Sequence, residues 1–130
     1  MKAFVYFNLH RKCFSIKALE GVNKGRVVAH RNDVIIYNPT FKVSEAGRQR
    51  VIREKSKNVH AGVVGEWHSD DDRYAERTAE LSTFIGRAVT YNPYKYDSFV
   101  YSPSMLPITD SPKAVTLSSN GSKASMFALS

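Results

Sequence analysis

The sequence predicts an α+β fold: a twisted antiparallel sheet with one or two short helices on one face, in a single domain. Three observations carry that expectation. Short runs of alternating apolar and polar residues fill positions 3–37, the period of half-buried strands. A basic stretch beginning at Ser44 has a cap residue and helix-forming composition. A third segment, 73–85 (RYAERTAELSTFI), repeats its apolar residues at helical spacing. The chain divides into a compact body over 1–101 and a Ser/Pro-rich C-terminal arm over 102–130, expected to pack on that body.

In order, Ala3 to Asn8 reads as a strand, with Phe4 and Tyr6 on one side and Val5 and Phe7 on the other. Lys12 to Leu19 is its partner, with Cys13, Ser15 and Lys17 opposed to Phe14, Ile16 and Ala18. Leu9, His10 and Arg11 connect the two as a tight turn with His10 at its tip. Gly21 and Gly25 mark a loop, after which Arg26 to His30 and Val34 to Tyr37 form two further strands. Asn38-Pro39 is expected to end the second of these, because proline has no amide to donate to a ladder.

Ser44 then caps a helix whose first turn carries Glu45, where the helix dipole favours an acid. Its apolar stripe is thin, so a short, half-exposed helix showing a basic face is expected. Val59 to Trp67 follows as a strand rich in small residues. Glycines there, Gly62 and Gly65, mark a bulge or a close approach by another backbone or a ligand. Arg87 to Tyr91 and Ser98 to Tyr101 read as strands. Within the arm, Ala114 to Leu117 and Ser125 to Leu129 would add short edge strands.

At 130 residues with 42% apolar content the chain can bury a core without staples, and a globular rather than a disordered chain is expected. Its one cysteine, Cys13, excludes an internal disulfide framework and fits a reducing compartment. No apolar run reaches the roughly 18 residues that span a bilayer, so a cytoplasmic protein without a membrane partner is expected. The net charge of +7 is unevenly placed. Residues 1–65 hold 13 Lys/Arg against 4 Asp/Glu, whereas residues 66–130 hold 6 against 8. A basic half of this kind points to a polyanion, with RNA favoured, or to an acidic host protein. A surface charged only for solubility is the plainer explanation.

Three of the four histidines, His10, His30 and His60, fall in the basic half. Two imidazoles beside a cation can cleave RNA without metal, one removing the 2′-hydroxyl proton and the other protonating the leaving oxygen. His10 and His60 are the candidates for that pair. Lys17 is the candidate cation, with Arg48, Arg50 or Lys57 able to fill the same part. Arg48, Arg50, Arg53, Lys55 and Lys57, with Arg26 and His30, are the candidates for holding phosphate. Histidines at strand ends are also ordinary hydrogen-bonding residues. His68 beside Asp70, Asp71 and Asp72 offers metal-ligand chemistry, but no metal-binding spacing accompanies it and no metal or other cofactor is expected. Phe4, Tyr6 and Phe14 interleave with basic residues, as Tyr91, Tyr94, Tyr96 and Tyr101 do near Lys95. Such rings can stack on bases, although in a small β-rich domain most of them pack.

The series FNLH, KCFSIKAL, GRVVAH, FKVSEAGRQRVIREK and KNVHAGVVG resembles a group of small uncharacterised bacteriophage-encoded proteins, over about residues 3–65. The resemblance brings no established activity. It implies an infected bacterial cytosol, where small basic proteins act on host nucleic acid or block a host enzyme. A looser architectural likeness to compact toxin-type ribonucleases carries no function by itself. The expectation is a basic phage-type protein acting on nucleic acid, with a metal-independent endoribonuclease as the reaction its histidines suggest. The alternative is a non-catalytic accessory protein that binds and inhibits a host protein or nucleic-acid-processing machine. Oligomeric state is left open by the sequence.

Overall fold

Among the described residues ten strands succeed one another: β1 (Lys2–Asn8), β2 (Cys13–Ala18), β3 (Val27–Arg31), β4 (Asp33–Val43), β5 (Ala61–Glu66), β6 (Arg87–Tyr91), β7 (Phe99–Tyr101), β8 (Leu106–Pro107), β9 (Ala114–Ser119) and β10 (Ala124–Leu129). The structure, a computed structural model, describes residues 1–8, 10–43, 49, 53, 61–69, 86–91, 99–102, 104–108, 110–120 and 124–129. Its strands form a single sheet in the order β3-β2-β1-β5-β4-β9-β10-β6-β7-β8, and all pairings are antiparallel.

The expected α+β fold is therefore corrected. The described residues form an antiparallel sheet with no helix layer on its face. The physical reason lies in how the sheet covers itself. Ser119, at the end of β9, donates its hydroxyl to the Lys12 carbonyl at 3.0 Å and its amide to the Asn32 carbonyl at 2.8 Å. β9 and β2 stand four places apart in the sheet, about 19 Å if it were flat. Phe41 of β4 and Phe99 of β7 are also four places apart, yet their ring centroids lie 5.1 Å from one another. The sheet rolls toward the same face from both sides, so its own strands bury the apolar surface. The two helices expected from Ser44 and over 73–85 fall outside the described residues, except for Gln49 and Arg53, both exposed.

Alternation supplies that inner face. Val5 stands opposite Ile16 and Val63, and Ala3 opposite Ala18 and Gly65. Across the middle of the sheet Val34 faces Leu117 and Ile36 faces Val115. Ala3, Val5, Ile16, Val34, Ile36, Val63, Val115 and Leu117 form one buried cluster with Phe14 and Trp67. A second cluster of Val89, Phe99, Tyr101 and Ala128 adjoins it, and Phe41 and Met126 pack against both. Large apolar side chains removed from water in this way supply the main stabilisation, about 1.5–3 kcal/mol for each one fully buried.

Strand β4 also departs from its expected end. Asn38-Pro39 does not stop it; the strand runs on to Val43 with a bulge between Tyr37 and Thr40. Asn38 takes a left-handed backbone (φ 50°), which asparagine tolerates better than most residues, and donates its amide to the Lys113 carbonyl at 2.8 Å. Pro39 at a bulge removes no regular ladder bond. Opposite lies Gly65, where a Cβ would stand 2.6 Å from the Tyr37 carbonyl oxygen. The close approaches expected at the glycines of this strand are thus present. The C-terminal segment is placed differently from the expected edge strands: β9 lies inside the sheet, between β4 and β10.

Gly65→Ala should lower stability by about 1–3 kcal/mol, because its methyl meets backbone that the bulge holds in place. Urea denaturation measures this, and an unchanged midpoint would show that the bulge can yield.

Candidate functional site

The outer face of β3-β2-β1-β5-β4 carries the polar and aromatic half of the alternation. Register aligns His30, Ser15, Tyr6, Gly62 and Lys42 in one row across five strands. Beside it Lys17, Phe4, Val64 and Thr40 form a second row. Phe4 and Tyr6 stack with centroids 5.7 Å apart and planes 26° from parallel. Phe4 is supported by Gly62. A Cβ there would lie 2.8 Å from the Phe4 ring, so the ring rests against glycine backbone. Lys17 flanks this pair on β2 and the exposed Lys42 flanks it on β4. Glu66, farther along β5, is engaged by the N-terminal ammonium at 3.2 Å.

A directed hydrogen-bond chain runs beneath one end of this face. Asn8 Oδ1 accepts the amides of His10 and Arg11 at 3.0 and 3.2 Å, shaping the hairpin turn. Asn8 Nδ2 must then point the other way, and it donates to Ser15 Oγ at 3.1 Å. Ser15 Oγ lies 3.0 Å from His30 Nδ1. A serine beside an imidazole has the composition of a nucleophile–base pair. Ser15 is 0% exposed, however, and so cannot meet a substrate.

The residues expected to form a site are distributed as follows. His10 lies exposed in the β1–β2 turn, and Lys17 lies toward the far end of the same hairpin, opposite Phe4. His30 is half-buried on β3, Arg26 exposed just before that strand, and Arg53 exposed. His60, Arg48, Arg50, Lys55 and Lys57 lie outside the described residues. Lys17 and His30 thus share the outer face, while His10 stands at its end. His68 is exposed against Tyr37, with ring centroids 5.7 Å apart. Asp70, Asp71 and Asp72 are outside the described residues, among which no three His, Cys, Asp or Glu come together. Phe14, grouped by sequence with Phe4 and Tyr6, is a core residue at 2% exposure.

Sequence reasoning did not find Asn8, Ser15 or Lys42. The first two share a strand face with Tyr6 and Lys17, a parity visible in the sequence. Lys42 reaches the same face only because the β4 bulge shifts its register.

A separate cluster stands at the other end of the sheet. Tyr101, buried on β7, donates its hydroxyl to Asp110 at 2.5 Å, and the Arg87 guanidinium lies 3.6 Å from its ring centroid. Burial first, then the hydrogen bond and charge of Asp110, push the Tyr101 hydroxyl up to about 12, with Arg87 opposing. The same hydrogen bond holds the Asp110 carboxyl below its ordinary range.

A small basic β-sheet protein with a mixed aromatic and cationic face is the class these features define. The chain belongs to the family described as Mycobacterium phage L5 gene 82 protein, which matches residues 1–125. It is 37% identical to the Gene 82 protein of Mycobacterium phage L5 over 130 residues, covering 95% of each chain. The phage resemblance seen over 3–65 thus extends through most of the sequence. No solved structure matches the chain significantly. Among the described residues no helix is long and apolar enough to cross a membrane.

The Tyr101–Asp110 bond should give stability a defined pH window. Folding holds the Tyr101 proton more tightly, so its contribution is complete below pH 10.0 and is lost as pH rises to about 12. Folding holds the Asp110 proton less tightly, so its part is present above pH 3.8 and is lost as pH falls below that value. Phenolate absorbance should show one tyrosine titrating late, and Tyr101→Phe should remove that step together with the alkaline loss of stability.

Proposed function

We propose that the outer face of β3-β2-β1-β5-β4 binds single-stranded nucleic acid, RNA in the first instance. The observation that carries this reading is the Phe4–Tyr6 pair, with Phe4 resting on Gly62 and Lys17 and Lys42 on its flanks. Aromatic faces between cations suit a strand whose bases are unstacked, since every base offers a π-face and every linkage a charge. A duplex hides those base faces. The surplus of cations in residues 1–65 supports the same partner by steering a polyanion toward this half of the chain.

Cleavage of the bound strand is the finer form of the proposal, with His10 and His60 moving protons and the basic stretch after Ser44 holding phosphate. The exposure of His10 at the hairpin tip favours it. Buried Ser15 takes no nucleophilic part.

Fluorescence anisotropy with labelled single-stranded RNA in EDTA, from pH 5 to 8, tests both forms. Binding should weaken steeply with salt, and Phe4→Ala or Tyr6→Ala should each cost about 1–3 kcal/mol of affinity. Lys17→Ala and Lys42→Ala should each flatten the salt dependence. Cleavage abolished by His60→Ala would establish the nuclease, and an intact bound strand would leave a binding module. An RNA that neither binds nor breaks would redirect the search to a host protein partner.

A further inference from the structure

We infer that the Asn8–Ser15 pair fixes His30 as a single hydrogen-bond donor for a phosphodiester oxygen of the bound strand, which rests on the nucleic-acid reading above. The polarity of the chain follows from donor counting. Backbone amides can only donate, so the atom of Asn8 that receives His10 and Arg11 is its oxygen, and its NH₂ faces Ser15. Ser15 Oγ has one proton. With Asn8 donating to it, that proton goes to its remaining partner, His30 Nδ1. A neutral imidazole accepting at Nδ1 carries its hydrogen at Nε2. Among the described residues nothing accepts that Nε2–H, and His30 is half-buried on the outer face.

Burial makes the arrangement firm. Ser15 is wholly shielded from water, so reversing the chain would leave its hydroxyl proton without a partner, at a cost comparable to a lost hydrogen bond. The imidazole therefore presents a donor before any ligand arrives, and no reorganisation is needed on binding. Its place selects the ligand atom. His30 stands two strands from Tyr6 in the same row, about 10 Å away. That offset is too great for the base stacked on Tyr6 and suits the sugar–phosphate backbone beside it. A phosphodiester oxygen is an acceptor without a donor, matching a group that can only give. Ser15 and Asn8 act through His30 and are positioning residues.

The test has two independent readouts on the full chain. Long-range nitrogen–proton NMR of the free protein at pH 8 should place the His30 hydrogen on Nε2. In Ser15→Ala the two tautomers should mix. Asn8→Asp keeps an acceptor for the turn amides but cannot donate to Ser15, so it should drive His30 toward the Nδ1–H form. Anisotropy with labelled single-stranded RNA should show about tenfold weaker binding for His30→Ala. Ser15→Ala should weaken it in proportion to the lost tautomer, with no further loss in the double variant. A wild-type hydrogen on Nδ1, or full affinity in His30→Ala while wild type binds, overturns the inference and leaves the stacking face intact. Failure of wild-type protein to bind RNA, with the Nε2 tautomer present, overturns the functional reading and with it the ligand assigned to His30.

Discussion

The structure depends most on the bulge in β4. A regular strand would send Ile36 and Phe41 to opposite faces, because they are an odd number of residues apart. The extra residue at Asn38-Pro39 restores both to the inner face, where Ile36 joins the main cluster and Phe41 bridges to the second. The same strand pairs with β9 through its first half and with β5 mainly through its second. It is the hub through which the two sides of the sheet are held. A bulge also bends its strand and increases twist, which is what a sheet needs to roll onto itself. Gly65 permits the bulge, since any side chain there would strike it.

The bulge also shapes the outer face. It sets Lys42 beside Gly62 and thus in line with Tyr6, so cations stand on both flanks of the aromatic pair. Glycine at 62 serves the same face differently, by letting the Phe4 ring rest on backbone. Two glycines three residues apart are thus required by unrelated contacts, one beneath a ring and one against a bulge. The polar side chains on this face are tied to the hairpin turn: Asn8 closes the turn with its oxygen and orders Ser15 and His30 with its nitrogen. Turn geometry and imidazole chemistry are therefore coupled through one amide.

Membership in a phage family gives this architecture a setting but no reaction. What distinguishes the proposed face from ordinary surface is the combination of stacked rings, flanking lysines and a directed donor in two adjacent rows. Charge alone would be compatible with solubility, and rings alone with packing, as Phe14 illustrates from within the core. At the opposite end of the sheet, Arg87, Tyr101 and Asp110 form a contact whose hydrogen bond joins β7 to the turn before β9.

Local pattern was enough for the first hairpin, for β3, β5, β6 and β7, and for which residues of β1 and β2 share a face. Alternation is a property of neighbours in the chain, and side-chain parity follows from it directly. That His30 shares a face with Lys17 was not readable, since it depends on the pairing of β2 with β3 and on the irregularity between Ile16 and Lys17. Neither was the length of β4, since Asn-Pro reads as a terminator unless a glycine on another strand makes room for a bulge. Nor was the interior position of β9, whose pairing with β4 joins segments about 80 residues apart. The absence of a helix layer among the described residues belongs with these. Whether a sheet needs covering depends on how far it rolls, and that is set by non-local contacts such as Phe41–Phe99 and Ser119–Lys12. The sequence by itself determined most of the strands and the faces of β1 and β2, because alternation is local; tertiary structure decided the full length of β4, the roll, the register beyond the bulge, and which polar groups meet, because those rest on contacts between distant segments.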